Sequence, residues 1–574
     1  MMEEKNPITY FAETDRRNKR VRFGIKASDR TRHVYTIGKT GMGKSTMLEN
    51  MAVQDIKNGN GIAFMDPHGK TADLLLDYVP EHRIDDVIYF APFDLNNPIS
   101  FNVMEDVGED KRHLVASGLM SAFKKIWVDA WSARMEYILN NILLALLEFP
   151  GATLLGVNRM LSDKNYRKKV VDNVSDASVK SFWMDEFAKY GERYMQEAGA
   201  AIQNKVGQFV SNPIVRNIIG QEKSSFDVRE IMDKKKILII NLSKGQIGED
   251  AANLLGSMLI TKIYLGAMSR ADVSQDELNK LPNFYFFVDE FQSFANESFT
   301  NILSEARKYK LNLTIAHQYI EQMEDEVRAA VFGNVGTMII FRLGSYDAEI
   351  FEKEFSPDFT ADDIVNLDFA QVYLKLMIDG IGSTPFSART LPPIAKPTMS
   401  FKQEIIESSQ KQFAQLRDEV EKNIIDWYTP DIVQNKQPAK QFSGSEKIRL
   451  QPQSFQRNYS KKTPRMSLND LRNRKDYKKI DNVTLKKENN LENNQDKRIE
   501  LRKALSNAIQ NVQNNGREEL KKSFNKQTVG LEVQPVSVVQ RKHENKKNEE
   551  KNVKEISKDT LEKMLYVKKL DENK

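Results

Sequence analysis

Residues 34–46 read Val-Tyr-Thr-Ile-Gly-Lys-Thr-Gly-Met-Gly-Lys-Ser-Thr. Within them, Gly38-x-x-x-x-Gly43-Lys44-Ser45 has the spacing of a loop that binds nucleotide phosphates. Its glycines let the backbone curl until several N–H groups face one anion. Lys44 would reach the β- and γ-phosphates, and the Ser45 hydroxyl would hold Mg²⁺. The expected nucleotide-binding set is therefore Gly38, Lys39, Thr40, Gly41, Met42, Gly43, Lys44, Ser45 and Thr46. A helix starting near Lys44 would turn its positive N-terminus to the same phosphates.

Phosphate binding alone does not hydrolyse ATP. A carboxylate must help hold the metal, another group must orient water, and positive charge must meet the transition state. Phe284-Tyr-Phe-Phe-Val288 followed by Asp289-Glu290 supplies the first two. Five apolar residues predict a buried strand, and two acids at its exit are costly unless a cation or water meets them. Asp289 would hold Mg²⁺ through water, and Glu290 would polarise the attacking water. Gln318 ends the next apolar run, where a neutral amide would sense the γ-phosphate; His317 beside it reads as structural. Arg307, in Ser304-Glu-Ala-Arg-Lys-Tyr309, is either a surface ion-pair partner or an arginine that enters a neighbouring subunit's site. Arg342 is a second candidate for that role.

These residues need a scaffold that brings loops together. Short apolar runs at 34–37, 62–65, 87–91, 237–240, 284–288, 313–316 and 337–341 alternate with helix-like stretches. That alternation predicts a parallel sheet whose strand ends carry the site. Asp66-Pro-His-Gly69 lies at one such end. Residues 106–232 change character: apolar residues recur at helical spacing, as in Tyr137, Ile138, Ile142, Leu143 and Leu146. The fold class expected is α/β, a RecA-like nucleotide-binding domain with a mainly parallel sheet and an inserted all-α domain. The expected boundaries are a basic N-terminal arm at 1–33, nucleotide-binding parts at 34–105 and 233–395, the all-α insertion at 106–232, and a helical extension at 396–435. A tail follows at 436–574.

The tail is rich in Lys, Asn, Gln and Glu, a composition expected to be disordered. It carries 34 Lys and Arg against 19 Asp and Glu, whereas residues 1–435 carry 51 against 61. An acidic body argues against a protein that coats DNA, yet leaves room for a basic channel lining. Short amphipathic stretches stand out at 499–512 and 561–570. There is no cysteine among the 574 residues, hence no disulfide or thiol chemistry. No run of about 18 unbroken apolar residues occurs, and the first residues lack the apolar core of a signal peptide. The expectation is a cytoplasmic protein, recruited to the inner membrane, if at all, by a partner.

Taken together, Gly38–Ser45, Asp66-Pro-His-Gly69, Phe284–Glu290, Ser304–Tyr309 and Ala316-His-Gln318 resemble the HerA/FtsK superfamily of DNA-pumping ATPases. The TraG/TraD-type coupling proteins of conjugation and type IV secretion are the branch they look most like. The resemblance runs from about residue 8 to 395 and takes in Gly220–Asp227 and Asn241–Glu249. It implies a ring of six with ATP and Mg²⁺ between subunits, DNA through the centre, and secretion or relaxase-type partner proteins. It also implies that Arg307 acts in trans and that Gln318 is the family's sensor. Arg32 sits where coupling proteins carry an arginine upstream of the loop. Lys70 departs from the acid often found after Asp-Pro-His-Gly. HerA-like repair or packaging work with a partner, or a DNA-binding adaptor gated by nucleotide, remain the alternatives.

Overall fold

The computed structural model describes residues 6–15, 19–127, 131–190, 199–295 and 297–429. The expected tail at 436–574, with its two amphipathic stretches, lies outside the described residues, as do Arg16 and Arg17.

The strands are β1 (Ile8–Glu13), β2 (Arg22–Lys26), β3 (Val34–Ile37), β4 (Gly61–Asp66), β5 (Val87–Phe90), β6 (Ile237–Asn241), β7 (Phe284–Val288), β8 (Leu311–His317), β9 (Thr337–Ile340), β10 (Gln371–Lys375), β11 (Met377–Ile378), β12 (Ile381–Gly382) and β13 (Phe386–Thr390). Eleven form one sheet in the order β2-β1-β13-β10-β9-β3-β8-β7-β4-β6-β5. From β9 to β5 all neighbours are parallel. From β9 to β2 they are antiparallel. The central strands are buried on both faces, so they read as continuous apolar runs. Their side chains still alternate between two cores. Phe284, Phe286 and Val288 face one, with Ala63 and Met65; Tyr285 and Phe287 face the other, with Ile62 and Phe64. Helices Lys44–Lys57 and Lys70–Leu76 cover the second face.

Among the described residues, every element from Arg112 to Asp233 is helical, as the sequence pattern predicts. Helix Ala133–Leu147 shows why: Ser132 caps it by accepting from Met135 N, and Met135, Ile138, Leu139, Ile142, Leu143 and Leu146 line its buried face. Two chain crossings join this region to the sheet, and they hold each other. Ser100 N donates to Ser225 Oγ and Ser225 N to Ser100 O, both at 3.0 Å. Helix Lys402–Phe413 then packs beside β5, where Tyr89 N donates to Ser409 Oγ. Helix Arg417–Tyr428 ends on the helical region, with Trp427 edge-on to Tyr166. Among the described residues, one stretch (Glu249–Asp272) is long and apolar enough to cross a membrane, and 78% of its window is buried inside the protein.

The N-terminal segment differs from expectation. It is no arm: β1 and β2 complete the antiparallel side of the sheet, with Phe11, Phe23 and Ile25 buried. Three of its basic residues are spent on ion pairs. Arg20 meets Glu13 at 3.1 Å, and Lys26 meets Asp379 at 2.6 Å. Arg30 is fully buried on Asp55 at 2.8 Å, over the Tyr285 ring. Counting charges hid the apolar residues between them. The strands β10 to β13 also went unread; in β10 buried residues alternate with half-exposed ones, the pattern of a sheet flank.

Candidate functional site

The phosphate loop leaves β3 and enters helix Lys44–Lys57. Gly41 (φ 78°) and Gly43 (φ 112°) occupy the left-handed region that other residues resist. The Lys44 ammonium folds back over the loop, donating to Gly38 O at 2.5 Å and Lys39 O at 3.2 Å. Burial pushes its pKa down, and Glu290 and Asp289 pull it back up.

The order of strands places the rest. β8 lies between β3 and β7, so Gln318 emerges between the loop and the two acids. The side chains make one connected network. Ser45 Oγ donates to Asp289 Oδ2 at 3.1 Å. Thr40 Oγ1 donates to Gln318 Oε1 at 2.9 Å, and Gln318 Nε2 donates to Glu290 Oε1 at 2.6 Å. Gln292 Nε2 holds the other Glu290 oxygen, also at 2.6 Å. Nothing in the sequence singled out Gln292; it lies two residues beyond the acid pair, outside any spacing rule. Glu290 itself stands at φ 47°, ψ 47°, a left-handed conformation for a residue with a Cβ. Such strain persists where surroundings over-determine it, typically at functional sites.

Asp289 is buried, and burial raises its carboxyl to about 6, with the neighbouring Glu290 and Asp66 charges adding to the rise. The Ser45 hydrogen bond opposes it. Asp66 is itself locked by His68 N, Thr71 N and Ala72 N at 2.8–3.0 Å, and so anchors helix Lys70–Leu76. Two carboxylates thus act on Lys44, and Asp66 lies near enough to Asp289 to add its charge. A hydroxyl and a carboxylate 3.1 Å apart, in an electron-rich pocket, suit a hard divalent cation such as Mg²⁺. Ser45 and Asp289 would hold it.

His317 is structural. Its Nδ1 shares a hydrogen bond with the Tyr35 hydroxyl at 3.1 Å, and burial, with the Lys44 charge, lowers its pKa to about 3. Arg342 lies against the loop of its own chain, where its carbonyl accepts from Lys39 N and its guanidinium donates to Met42 Sδ at 3.2 Å.

Arg307 is elsewhere. It sits on the 3₁₀ turn Ala306–Tyr309, just before β8 begins. The seven residues of β8 span roughly 20 Å, so the whole strand separates Arg307 from Gln318. There Arg307 and Arg32 line a cavity of about 250 Å³ with Ser304, Asn334 and Gly336. The turn is pinned from two sides. His33 Nε2 meets Leu303 O at 3.2 Å, and Arg270 Nη1 donates to Tyr309 O at 3.0 Å.

A phosphate loop, an acid pair on a non-adjacent strand and a polar sensor on the strand between them define a P-loop NTPase of RecA-like design. Residues 22–355 match the DNA-binding domain of type IV secretion-system coupling proteins, and the chain belongs to that family. Among solved structures, the conjugative coupling protein TrwB without nucleotide is similar at 13% identity and a TM-score of 0.47. That match covers 64% of this chain and 86% of the other. The TrwB complex with ADP and Mg²⁺ matches at 14% and 0.47, over 68% and 96%. VirB4 of Thermoanaerobacter pseudethanolicus matches at 12% and 0.44, over 67% and 96%. No curated protein matches the chain.

Proposed function

We propose that this protein is a ring-forming, Mg²⁺-dependent ATPase that moves DNA, as expected of a type IV coupling protein. The observation that carries the reading is the continuous network Thr40–Gln318–Glu290 beside Ser45–Asp289. It supports reading Glu290 as the water-activating carboxylate, Asp289 as the metal-side carboxylate and Gln318 as the phosphate sensor.

In this reading the loop amides and Lys44 bind the ATP phosphates. Ser45 and Asp289 would hold Mg²⁺, which would supply charge neutralisation at the phosphates. Glu290, its two oxygens held by Gln318 and Gln292, orients and deprotonates water. Gln318 would sense loss of the γ-phosphate, because its carbonyl is tied to Thr40 in the loop. Arg307 and Arg32, a strand's length away, would serve the site of the next subunit. DNA contacts would be largely phosphate-directed and salt-sensitive.

The test is ATP hydrolysis by the purified 574-residue chain with and without DNA, beside Glu290→Gln. DNA should raise the rate several-fold, and Glu290→Gln should lower it by roughly 10²–10⁴ while ATP still binds. A rate near zero with every DNA tried, at concentrations that favour assembly, would sink the motor reading and leave a nucleotide-gated adaptor.

A further inference from the structure

One cation of the helical region reaches the loop that carries Glu290. Lys125 lies in the last turn of helix Arg112–Ile126. Its half-buried ammonium donates to Gln292 O at 2.6 Å and to Ala295 O. Those carbonyls bracket the loop that follows the acid pair. The same loop is held from the helix Glu249–Met268, where Ser257 Oγ donates to Phe294 O at 3.3 Å. Lys244 Nζ reaches Ser293 Oγ at 2.9 Å. The loop's own residue Gln292 in turn grips Glu290. A chain of two contacts, Lys125 to Gln292 and Gln292 to Glu290, therefore runs from the helical region to the carboxylate.

We propose that Lys125 is a positioning residue for Glu290, and the contact through which the helical region and the ATPase site act on each other. This rests on the nucleotide reading above. Glu290 stands in a strained backbone conformation, so its placement depends on what braces the loop. Ammonium–carbonyl bonds are charge-assisted, and removing the donor leaves two sheltered carbonyls unmet. Burial lowers the Lys125 pKa to about 8, with Lys244 adding to the fall and Glu324 opposing it, so the group is still charged at neutral pH. A displacement of helix Arg112–Ile126, by DNA or a protein bound to the helical region, would pull on Gln292 directly. Conversely, nucleotide that draws on Glu290 would be felt at the helix.

The experiment compares the parent 574-residue chain with Lys125→Ala and Lys125→Arg. Hydrogen exchange is followed with and without Mg²⁺ and a non-hydrolysable ATP analogue, over segments 38–46, 112–127 and 290–295. The analogue should protect 38–46 in all three chains. It should alter exchange in 112–127 in the parent and in Lys125→Arg, but not in Lys125→Ala. In steady state Lys125→Ala should lose about tenfold in kcat, with KM for ATP within about twofold, and Lys125→Arg should recover most of it. An unchanged response of 112–127 in Lys125→Ala, or a loss of kcat that arginine does not restore, overturns the proposal. Failure of the analogue to protect 38–46 in the parent overturns the nucleotide reading and this one with it.

Discussion

At the C-terminal ends of β3, β7 and β8, the active side chains already have partners. Lys44 rests on loop carbonyls, Ser45 on Asp289, and Glu290 is held by two amides. At the N-terminal ends of β3, β8 and β9, Arg32 and Arg307 line an open cavity. Neither guanidinium has a hydrogen-bond or ion-pair partner among the described residues. One end gathers three carboxylates, two of them acting on Lys44; the other offers two cations without such a partner among the described residues. Opposite needs on opposite faces of one chain are what a head-to-tail interface uses, and such an interface closes into a ring when its rotation closes. In the proposed reading neither end alone is a complete catalytic site: the C-terminal end would bind and orient, and an arginine from outside would meet the charge that develops on the transferred phosphate.

The sharpest way to break this comparison is to move the arginine. Arg307→Ala should lower ATP turnover by about 10³-fold, the scale of an arginine acting in trans, while ATP affinity changes by no more than about threefold. Mixing Arg307→Ala chains with Glu290→Gln chains should then restore a measurable fraction of the rate. The first supplies an intact Glu290 and the second an intact Arg307, and only an interface can join them. If mixtures stay as inactive as either parent, the two ends do not meet across subunits. Arg32→Ala should act in the same direction with a smaller loss.

The acidic end can be probed by its own excess of charge. The carboxyl of Asp289 is raised to about 6 from an ordinary value of 3.8. The folded chain therefore binds this proton more tightly than the unfolded chain. Its stabilising share is fully present below the unfolded value and is lost as pH rises through about 6. A shift of that size corresponds to about 2–3 kcal/mol at neutral pH. Asp289→Asn should consequently raise the thermal midpoint at pH 7.5 without nucleotide, yet abolish any gain from Mg²⁺ and ATP. In the parent chain, Mg·ATP affinity should weaken as pH falls below 6, because proton and metal compete for one carboxylate. A midpoint that drops in Asp289→Asn would show that the buried charge is already compensated.

The same two ends differ in how far the sequence revealed them. The phosphate loop, the acid pair and Gln318 were legible because each combines a spaced polar signature with an apolar strand, and strand order then had to bring them together. Gln292 and Lys125 were not. Each acts through a single contact fixed by tertiary packing, and neither an amide two residues past an acid nor a lysine ending a helix stands out in one dimension. The basic stretch before β3 misled for the opposite reason. Its charges looked like a solvated face, whereas Arg30 is buried on Asp55 and Lys26 is paired with a residue more than 350 positions away. Charge counts carry no information about such partners. The sheet itself followed from hydrophobic runs only where strands were buried on both faces.

The smallest effect separates two roles within the acidic end. Gln318 and Gln292 each hold one oxygen of Glu290 at 2.6 Å, so Gln318→Ala and Gln292→Ala should each cost about tenfold in turnover. If the carboxylate needs both grips to keep its strained conformation, the double variant should lose little more than either single one. That is a coupling of about 1 kcal/mol in a double-mutant cycle. Full additivity would mean two independent contacts and a Glu290 that is not clamped. Affinity then distinguishes the pair further. Only Gln318 is also bonded to Thr40 in the phosphate loop. Gln318→Ala should therefore erode the preference for an ATP analogue over ADP, while Gln292→Ala leaves it intact. Equal erosion in both would move the sensing from the amide on β8 to the placement of Glu290 itself.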